Sequence, residues 1–365
     1  MIRVIKNVFF EELVFFIALG MAVFTGIFAD FHFEAIDLNV LGILTALMLI
    51  TLAFEKYQLL DYVAIEVLKK ATSERNAGAI MVLLTAILGM LITNDVALIT
   101  VVPITITLSK KVGFNPYKLI VLEALAANIG SSLTPFGNPQ NLYLYSAFQF
   151  EFLAFLKTVA PFVTIGLLLL ILPIMLLSKT KFSTNYEFVH IEARKWLGVY
   201  GLLFILAIVF IVLRLNILYV LLLVFGCIFL RDRELLMKLD YFLLGTFISF
   251  FVFVDHVNQF EWINEMMRSL LNSDLHIFYA SAMLSQGISN VPAAILLSAF
   301  TSRKEALLLG VSVGGLGTMI ASLANLIAYK FYVKQFSSKP YHKYFVLLNF
   351  SLLLFFLIVF FVILR

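Results

Sequence analysis

Two short polar motifs lie within long apolar stretches of the sequence, and each centres on an asparagine. The first contains Thr93, Asn94 and Asp95, and the second contains Ser289 and Asn290. Hydroxyls, amides and carboxylates are costly in hydrocarbon unless they find partners, and an ionisable group there marks a functional site by default. Both motifs therefore predict binding of a polar solute, and Asp95 predicts coupling to a proton or a cation. Helix packing is the alternative for a single serine or threonine.

Two further stretches combine residues that end helices with residues that begin them. Gly130 and Gly314 suit helix C-termini, whose free carbonyl groups favour a cation. Asn138 followed by Pro139, and Ser322 at the equivalent place, suit helix N-termini. Helix N-termini favour an anion or an oxygen-rich solute, and neighbouring carbonyls suit sodium. These breaks therefore predict one shared site for a small anion and a coupling cation.

The candidate residues at the two motifs and the two breaks form two sets. The substrate-binding set shares hydroxyl or amide side chains: Thr93, Asn94, Ser131, Ser132, Thr134, Asn138, Ser289, Asn290, Thr318 and Ser322. The coupling-ion set shares a carboxylate, an amide or a helix-end carbonyl: Asp95, Asn94, Asn128, Gly130, Asn141, Asn290, Gly314, Gly317 and Asn325. We predict no catalytic residue, no cofactor and no metal other than sodium. Glu123, one or two turns before the first break, is either a further coupling acid or a protonated acid that bridges helices.

The elements that must position these residues are membrane helices. Of the 365 residues, 62% are hydrophobic and 13% are charged, whereas a soluble domain is under half apolar and about a quarter charged. A single cysteine, Cys227, excludes an internal disulfide and a cysteine metal cage. The net charge of +4 comes from short basic clusters between apolar runs, which are typical of membrane topology signals rather than of a nucleic-acid surface.

The apolar runs predict an all-α polytopic protein with about nine membrane-crossing helices and two re-entrant hairpins. We expect Asn94 or Asp95 to cap the returning arm of the first hairpin and Asn290 that of the second. The positive-inside rule places the N-terminus in the cytoplasm and the C-terminus outside the inner membrane. The predicted division is a first repeat at 1–177, with hairpin 77–110 and broken helix 117–150, a cytoplasmic linker at 178–195, and a second repeat at 196–365, with hairpin 276–300 and broken helix 305–331.

The order of elements in the first half recurs in the second half with the opposite orientation. The matched residues are Asp37 with Asp240 at an offset of 203, Asn94 with Asn290 at 196, and Asn141 with Asn325 at 184. The basic flanks open the first hairpin to the cytoplasm and the second to the outside. Inverted repeats with discontinuous helices near the midplane are typical of secondary transporters.

At these motifs the sequence resembles the ion-transporter superfamily, the group of arsenite permeases, sodium/proton antiporters, citrate–metal transporters and sodium-coupled dicarboxylate symporters. It is most similar to the uncharacterised bacterial inner-membrane anion-permease branch. The motifs are Thr93-Asn94-Asp95-Val96-Ala97, Gly137-Asn138-Pro139-Gln140-Asn141, Ile288-Ser289-Asn290-Val291-Pro292 and Ser322-Leu323-Ala324-Asn325. The resemblance implies a homodimer with a fixed scaffold and a mobile transport domain that carries both hairpins as an elevator.

The resemblance also bears on the solute. In the dicarboxylate branch, Ser-Asn-Thr motifs at both hairpin tips bind substrate carboxylates and sodium. Asp95 and Val291 stand where those motifs have threonine. A fixed negative charge at Asp95 would repel a dianion unless a proton or sodium neutralised it.

We therefore expect an ion-coupled secondary active transporter that moves a small anion or oxyanion by alternating access, driven by sodium or protons. The alternative on the same fold is a sodium/proton antiporter in which Asp95 exchanges the two cations. A polytopic membrane enzyme would need a nucleophile–base pair or a carboxylate dyad at one depth, and the sequence contains no Gly-x-Ser-x-Gly, His-Glu-x-x-His or paired intramembrane aspartates. The expected partners are the solute, the bilayer and a second copy of the chain, and nucleic acid is not among them.

Overall fold

The computed structural model describes residues 12–181 and 194–365, so most of the predicted linker at 178–195 lies outside the described residues. The described residues form seventeen α-helices and two short 3-10 helices, Phe33–Ala35 and Arg233–Lys238. The α-helices are α1 (Leu13–Thr25), α2 (Leu38–Lys56), α3 (Leu59–Leu68), α4 (Glu74–Leu91), α5 (Asn94–Val112), α6 (Tyr117–Ser131), α7 (Pro139–Ala147), α8 (Phe152–Met175), α9 (Arg194–Val212), α10 (Leu218–Arg231), α11 (Tyr241–Asn258), α12 (Glu261–Leu270), α13 (Asp274–Ile288), α14 (Asn290–Ser298), α15 (Lys304–Gly314), α16 (Leu323–Val333) and α17 (Ser338–Leu364).

Six of the described helices are long and apolar enough to cross a membrane, as expected for a polytopic membrane protein. They are Leu38–Lys56, Glu74–Leu91, Phe152–Met175, Lys195–Val212, Tyr241–Asn258 and Ser338–Leu364. Val14–Thr25 and Leu218–Arg231 are shorter apolar helices. The first helix of the predicted hairpin at 77–110, α4, begins three residues earlier, at Glu74, and is among the six.

The two aspartates matched between the halves have the same local role. Asp37 caps α2 by accepting a hydrogen bond from the Val40 N–H at 2.9 Å, and Asp240 caps α11 by accepting one from the Leu243 N–H at 2.8 Å. Each side chain satisfies one of the free donors in the first helical turn. The sequence match at an offset of 203 therefore marks two equivalent helix starts.

Helix packing brings the two helix pairs, α4 with α5 and α13 with α14, against the broken helices. Helix α4 packs along α6, and α13 packs along α15. The other helix of each pair contacts the opposite half of the chain, because α5 packs on α16 and α14 packs on α7. At the periphery α1 packs on α11, and α9 and α10 pack on α2.

Glycines allow the closest of these approaches. A Cβ atom added to Gly130 would lie 2.5 Å from the carbonyl oxygen of Ala86 on α4, and one added to Gly314 would lie 2.6 Å from the hydroxyl of Ser285 on α13. Small residues permit such close helix contacts in membranes. The glycines predicted to bind a coupling ion thus also set the distance between each broken helix and its neighbour.

A buried charge cluster ties α2, α9 and α10 together. Asp232, which is fully buried after the end of α10, accepts hydrogen bonds from Lys56, from Tyr57 at 3.1 Å and from Tyr200 at 2.5 Å. Burial alone raises the pKa of Asp232, but the hydrogen bonds from Lys56, Tyr200 and Tyr57 outweigh burial and hold the pKa below its ordinary value of 3.8. Lys56 also bonds the exposed Glu234.

Candidate functional site

Two long helices are broken by polar segments. Helix α6 ends at Ser131 and the chain resumes as α7 at Pro139, while α15 ends at Gly314 and resumes as α16 at Leu323. Asn138 and Ser322 hold the extended N-cap conformation, with φ of −152° and −146°. The predicted helix starts at Asn138 and Ser322 are confirmed, and Pro139 takes the first helical position, where a missing N–H costs nothing.

The tips of the two helix pairs are capped differently from the prediction. Thr93 is the N-cap of α5, and its hydroxyl accepts a 3.3 Å hydrogen bond from the Val96 N–H, so the prediction that Asn94 or Asp95 caps this arm is wrong. Ser289, with φ of +75°, holds the N-cap position of α14, and the prediction for Asn290 is wrong as well. In both cases the residue before the asparagine ends the turn. The asparagine then becomes the first helical residue, and its amide group is available for contacts across the site.

Each tip is attached to the adjacent break by a backbone hydrogen bond. The Asn94 N–H donates to the Gly137 carbonyl at 3.1 Å, and the Asn290 N–H donates to the Ala321 carbonyl at 3.0 Å. A first N–H of an α-helix has no partner within its own helix. The carbonyl groups of the breaks accept these hydrogen bonds, which fixes each tip against the adjacent break.

Asn128 lies at the centre of the buried amide network. Its Nδ2 donates to Asn325 Oδ1 at 2.8 Å, and its Oδ1 accepts from the Ser322 hydroxyl at 2.8 Å and from Asn94 Nδ2 at 3.5 Å. All four side chains are buried. Because Asn94 and Asn128 come from the first half and Ser322 and Asn325 from the second, the network joins the two halves.

Two amides hold the free carbonyls of the breaks. Asn141 Nδ2 donates to the carbonyl oxygens of Ser131, Ser132 and Thr134 at 3.0–3.3 Å. Asn325 Nδ2 donates to the carbonyl oxygens of Gly315 and Thr318 at 3.2 and 3.0 Å. Asn141 Oδ1 is buried and has no hydrogen-bond partner among the described residues. The matched asparagines thus perform the same task in both halves.

The starts of four helices meet at one cavity of about 110 Å³. Its walls include Asn94 and Asp95 of α5, Pro139 of α7, Asn290 of α14 and Leu323 of α16. This space exceeds that of a single water molecule and suits a small solute. The N–H groups and the dipoles of four helix N-termini favour negative charge there.

Asp95 also faces a second cavity of about 220 Å³, which shares Asn138 with the first and includes Thr93. The second cavity extends along α2 to Glu55 and Lys238. Asp95 Oδ1 is buried and lacks a hydrogen-bond partner among the described residues. The Asp95 carboxyl is therefore placed between two cavities with an oxygen free to bind a proton or a cation.

Several predicted residues surround the cavity without lining it. Ser131 and Ser132 donate their hydroxyls to the Asn128 carbonyl, at 3.2 and 2.9 Å. Thr134 Oγ1 donates to the Met90 carbonyl at 2.5 Å. Gly317 adopts φ of +105°, a conformation that glycine reaches without strain. In the structure these residues shape the breaks, and Asn94, Asp95, Asn138, Ser289, Asn290 and Ser322 line the cavity.

Gln286 is a structural residue of the site that the sequence analysis misses. Its Nε2 donates to the carbonyls of Gly314 at 2.9 Å and Leu316 at 3.0 Å, and its Oε1 accepts from the Thr318 N–H at 2.9 Å. Thr318 returns a hydroxyl hydrogen bond to the Gln286 carbonyl at 2.8 Å. The matching position in the first half is Met90, so the repeat gives no signal for this glutamine.

Asp240 is a second residue that sequence reasoning does not assign to the site. It lines the cavity beside Asp95, and the two carboxyl groups interact electrostatically. Its match with Asp37 marks it only as a helix cap. No group of three or more His, Cys, Asp or Glu side chains able to share a metal ion occurs in residues 12–181 and 194–365.

Comparison with known proteins settles the family. The family model described as citrate transporter matches residues 6–303. The chain belongs to the citrate transporter family. This membership confirms the resemblance to the ion-transporter superfamily.

Relatives along most of the chain agree with this assignment. The uncharacterised transporter MJ0456 of Methanocaldococcus jannaschii is 35% identical over 301 residues, which cover 81% of each chain. The inner membrane protein YbiR of Escherichia coli is 31% identical over 336 residues, 90% of this chain and 88% of that one. The silicon efflux transporter LSI3 of Oryza sativa subsp. japonica is 29% identical over 150 residues, 41% of this chain and 31% of that one. This member of the citrate transporter family is a multi-pass membrane transporter and not an enzyme.

Proposed function

We propose that the chain is an ion-coupled secondary active transporter that moves a small anion or oxyanion through the inner membrane, with sodium or protons as the coupling ions. The observation that carries this proposal is the meeting of four helix N-termini and one partner-free carboxyl oxygen, that of Asp95, at a single cavity. Helix N-termini attract the anion, and the carboxyl group attracts the coupling cation.

The solute class follows from the donors at the cavity. Asn94, Asn290, Ser289 and Ser322 offer amides and hydroxyls, and the cavity volume of about 110 Å³ limits the solute to a small molecule. One relative is named for silicon efflux and the family is named for citrate, so small oxygen-rich solutes are the class to test first.

Coupling follows from the charge of Asp95. An ionised Asp95, with Asp240 beside it, repels an incoming anion. A proton or a sodium ion on Asp95 removes that repulsion, so the anion binds well only when the coupling ion is present. Sodium would draw further oxygen ligands from the carbonyls and amides around Asn128 and Asn141, which match its preference for oxygen.

Alternating access is proposed to use two inverted repeats and a homodimeric elevator. Equivalent helix contacts support the repeats. The packing of α4 on α6 in the first half corresponds to that of α13 on α15 in the second, and the cross-half packing of α5 on α16 corresponds to that of α14 on α7. The cross-half contacts support a mobile body that contains both helix pairs and both broken helices. Helices α2, α9 and α10, tied by Asp232, belong to the scaffold. The cavity that reaches Lys238 then leads to the cytoplasm, with the N-terminus inside and the C-terminus outside.

A sodium/proton antiporter is the second candidate function, and one observation favours it. The cavity at the helix starts includes Glu12, Asp95 and Asp240 and no Lys or Arg among the described residues. A carboxylate-rich cavity suits a cation as the transported solute itself. In that case Asp95 would bind sodium and a proton in turn.

Flux into proteoliposomes tests both functions. Purified protein is reconstituted, and uptake of labelled citrate, phosphate, arsenite and silicic acid is followed under an inward sodium gradient, an inward proton gradient or neither. Gradient-driven uptake of one of these solutes supports the proposal. Sodium–proton exchange that proceeds without any anion rejects it in favour of the antiporter. If folded protein shows no solute uptake and no cation exchange, both functions are rejected.

A further inference from the structure

Glu123 is a fully buried acid that the proposed transport cycle does not use. It lies on α6 with 0% exposure, and its Oε1 accepts a hydrogen bond from Thr105 on α5. Its Oε2 has no hydrogen-bond partner among the described residues. A buried carboxylate without a cationic partner costs several kcal/mol. An acid kept at such a position within a membrane protein marks a functional site by default.

Tyr341 is a second buried polar group, on a helix that packs against α6. This tyrosine of α17 is also fully buried, its hydroxyl lacks a hydrogen-bond partner among the described residues, and it interacts electrostatically with Glu123. A phenol can accept a hydrogen bond from a carboxylic acid and can donate one to a carboxylate. In the structure the two groups are not hydrogen-bonded to each other, so Tyr341 is a neutral neighbour of the acid rather than its partner.

The groups that face Glu123 from the neighbouring helices are neutral. Thr105 lies on α5, Tyr341 lies on α17, and Tyr329 and Tyr332 of α16 surround Tyr341. The charged or titratable residues of the helices packed on α6, and the lysine of α6 itself, lie within the first or last two turns of their helices: Glu74, Arg75, Asp95, Lys110, Lys111, Lys118, Lys157, Lys330, Lys339, His342 and Lys343. Among the described residues no cation forms an ion pair with Glu123.

A short polar chain runs inward from the surface toward this acid. The rings of Tyr341 and Tyr332 lie 5.0 Å apart, centre to centre. The Tyr332 hydroxyl donates a 3.0 Å hydrogen bond to Asn115, an exposed residue in the loop between α5 and α6. The Tyr341 hydroxyl has no hydrogen-bond partner among the described residues, so the hydrogen-bonded part of this chain ends at Tyr332.

We propose that Glu123 is a proton-binding site, separate from Asp95. Glu123 precedes Asn128 by five residues on α6, a rise of about 7.5 Å, and its partner Thr105 belongs to the helix that begins at Asn94. A charge change at Glu123 therefore acts on both helices that carry the amide network. Its effect on transport rests on the proposed function, whereas proton binding itself does not.

Infrared spectroscopy of the purified protein measures the protonation directly, without any transport. We expect a carboxylic-acid carbonyl band at neutral pH that disappears in Glu123→Gln and persists in Asp95→Asn. Thr105→Val, which keeps the carboxyl group, shifts this band because it removes the hydroxyl that donates a hydrogen bond to Glu123. Glu265→Gln, at an exposed position of α12, leaves the band unchanged. A band at neutral pH that Glu123→Gln does not reduce, or that Thr105→Val does not shift, overturns the proposal.

Flux at different pH values tests the consequence. In proteoliposomes we expect the parent protein to change its transport rate with pH and Glu123→Gln to lose at least about two thirds of that pH response while still binding solute. If the infrared result holds and the pH response is the same in both proteins, the proton site stands and its coupling role is rejected. If no variant transports any tested solute, the proposed function fails, and the infrared result still decides the proton site.

Discussion

The side-chain amide of Asn128 donates a 2.8 Å hydrogen bond to the amide oxygen of Asn325, which lies 197 residues later in the chain. Asn128 belongs to the last turn and a half of α6, and Asn325 belongs to the first turn of α16. The bond therefore joins the end of one broken-helix segment to the beginning of another segment from the opposite half. Both residues are buried, so the bond is shielded from water.

Substitution of Asn128 should uncouple the two halves. Asn128→Ala removes hydrogen bonds to Asn325, Ser322 and Asn94 and leaves buried polar groups unpaired, which should cost about 2–4 kcal/mol of stability. Asn349→Ala is the matched control, because that buried amide bonds only a carbonyl within its own helix, that of Phe345. Thermal unfolding in detergent should show a clearly lower midpoint for Asn128→Ala than for Asn349→Ala. Equal midpoints would mean that the network adds nothing to stability.

Asp95→Asn should abolish coupling. The substitution keeps the shape of the side chain and removes its charge, so gradient-driven uptake should fall at least about tenfold and lose its dependence on sodium or pH. Asp37→Asn is the control, because Asp37 caps α2 and asparagine is an equally good cap. Proteoliposome flux and size-exclusion chromatography compare the two variants. Unchanged coupling in Asp95→Asn would restrict Asp95 to a structural role.

Acid should remove the contribution of Asp232 to stability. Its pKa is lowered in the folded protein, so its stabilising effect is present above the unfolded value of 3.8 and is lost as pH falls through 3.8 and below. Asp232→Asn should cost about 1–3 kcal/mol at neutral pH, and the difference from the parent protein should shrink below pH 3.8. Chemical denaturation of both proteins at neutral pH and below pH 3.8 measures this difference in the free energy of unfolding.

Glu234→Gln provides the control for that experiment. Glu234 bonds the same lysine, Lys56, from an exposed position, and exposed ion pairs contribute little. We expect little change in the free energy of unfolding at either pH. A loss as large as that of Asp232→Asn would show that the charge of Lys56, rather than the buried acceptor, determines stability.

Sequence patterns predicted the helix starts of the site better than its internal contacts. Proline and small polar residues at Asn138 and Ser322 carry strong local preferences, so those starts were correct. The caps at Thr93 and Ser289 were assigned one or two residues too late, because threonine, serine and asparagine are all acceptable caps and only the backbone conformation distinguishes them. Local preference does not determine that choice.

Contacts between distant residues were beyond sequence reasoning. Gln286 donates a hydrogen bond to the Gly314 carbonyl at the second break. The matching residue in the first half is Met90, so the repeat does not indicate a role for this glutamine. Asp240 was recognised as a match for Asp37, and its place in the cavity depends on how α11 packs. Which side chains share a cavity is a property of tertiary packing, and a single sequence carries that information only through repeats and motifs.

Gly130→Ala should be destabilising because the helices α4 and α6 touch there. The added methyl group would lie 2.5 Å from the Ala86 carbonyl oxygen, and overpacking of this kind costs about 1–3 kcal/mol. Gly226→Ala is the control, since nothing lies within 4 Å of a Cβ atom at that position of α10. Alanine is the better helix former, so the control should be neutral or stabilising by up to about 1 kcal/mol. Similar thermal midpoints for both variants would contradict the close approach.

Opposite orientation of the two repeats should be visible in chemical labelling. In a Cys227→Ser background, Lys111→Cys reports on the end of α5 and Ser302→Cys reports on the loop after α14, and both positions are exposed. If the basic flanks of the first helix pair follow the positive-inside rule, Lys111 lies in the cytoplasm. If the second repeat is inverted, Ser302 lies on the other side of the membrane.

A membrane-impermeant thiol reagent should therefore label Ser302→Cys in intact cells and Lys111→Cys only after the membrane is opened. Opening the membrane is also the control for reactivity, because both cysteines should then react to a similar extent. Labelling of both variants from the same side would mean that the two helix pairs enter from one face. The equivalent pairings of α5 with α16 and α14 with α7 would then have to arise without inverted repeats, and alternating access through mirrored halves would be rejected.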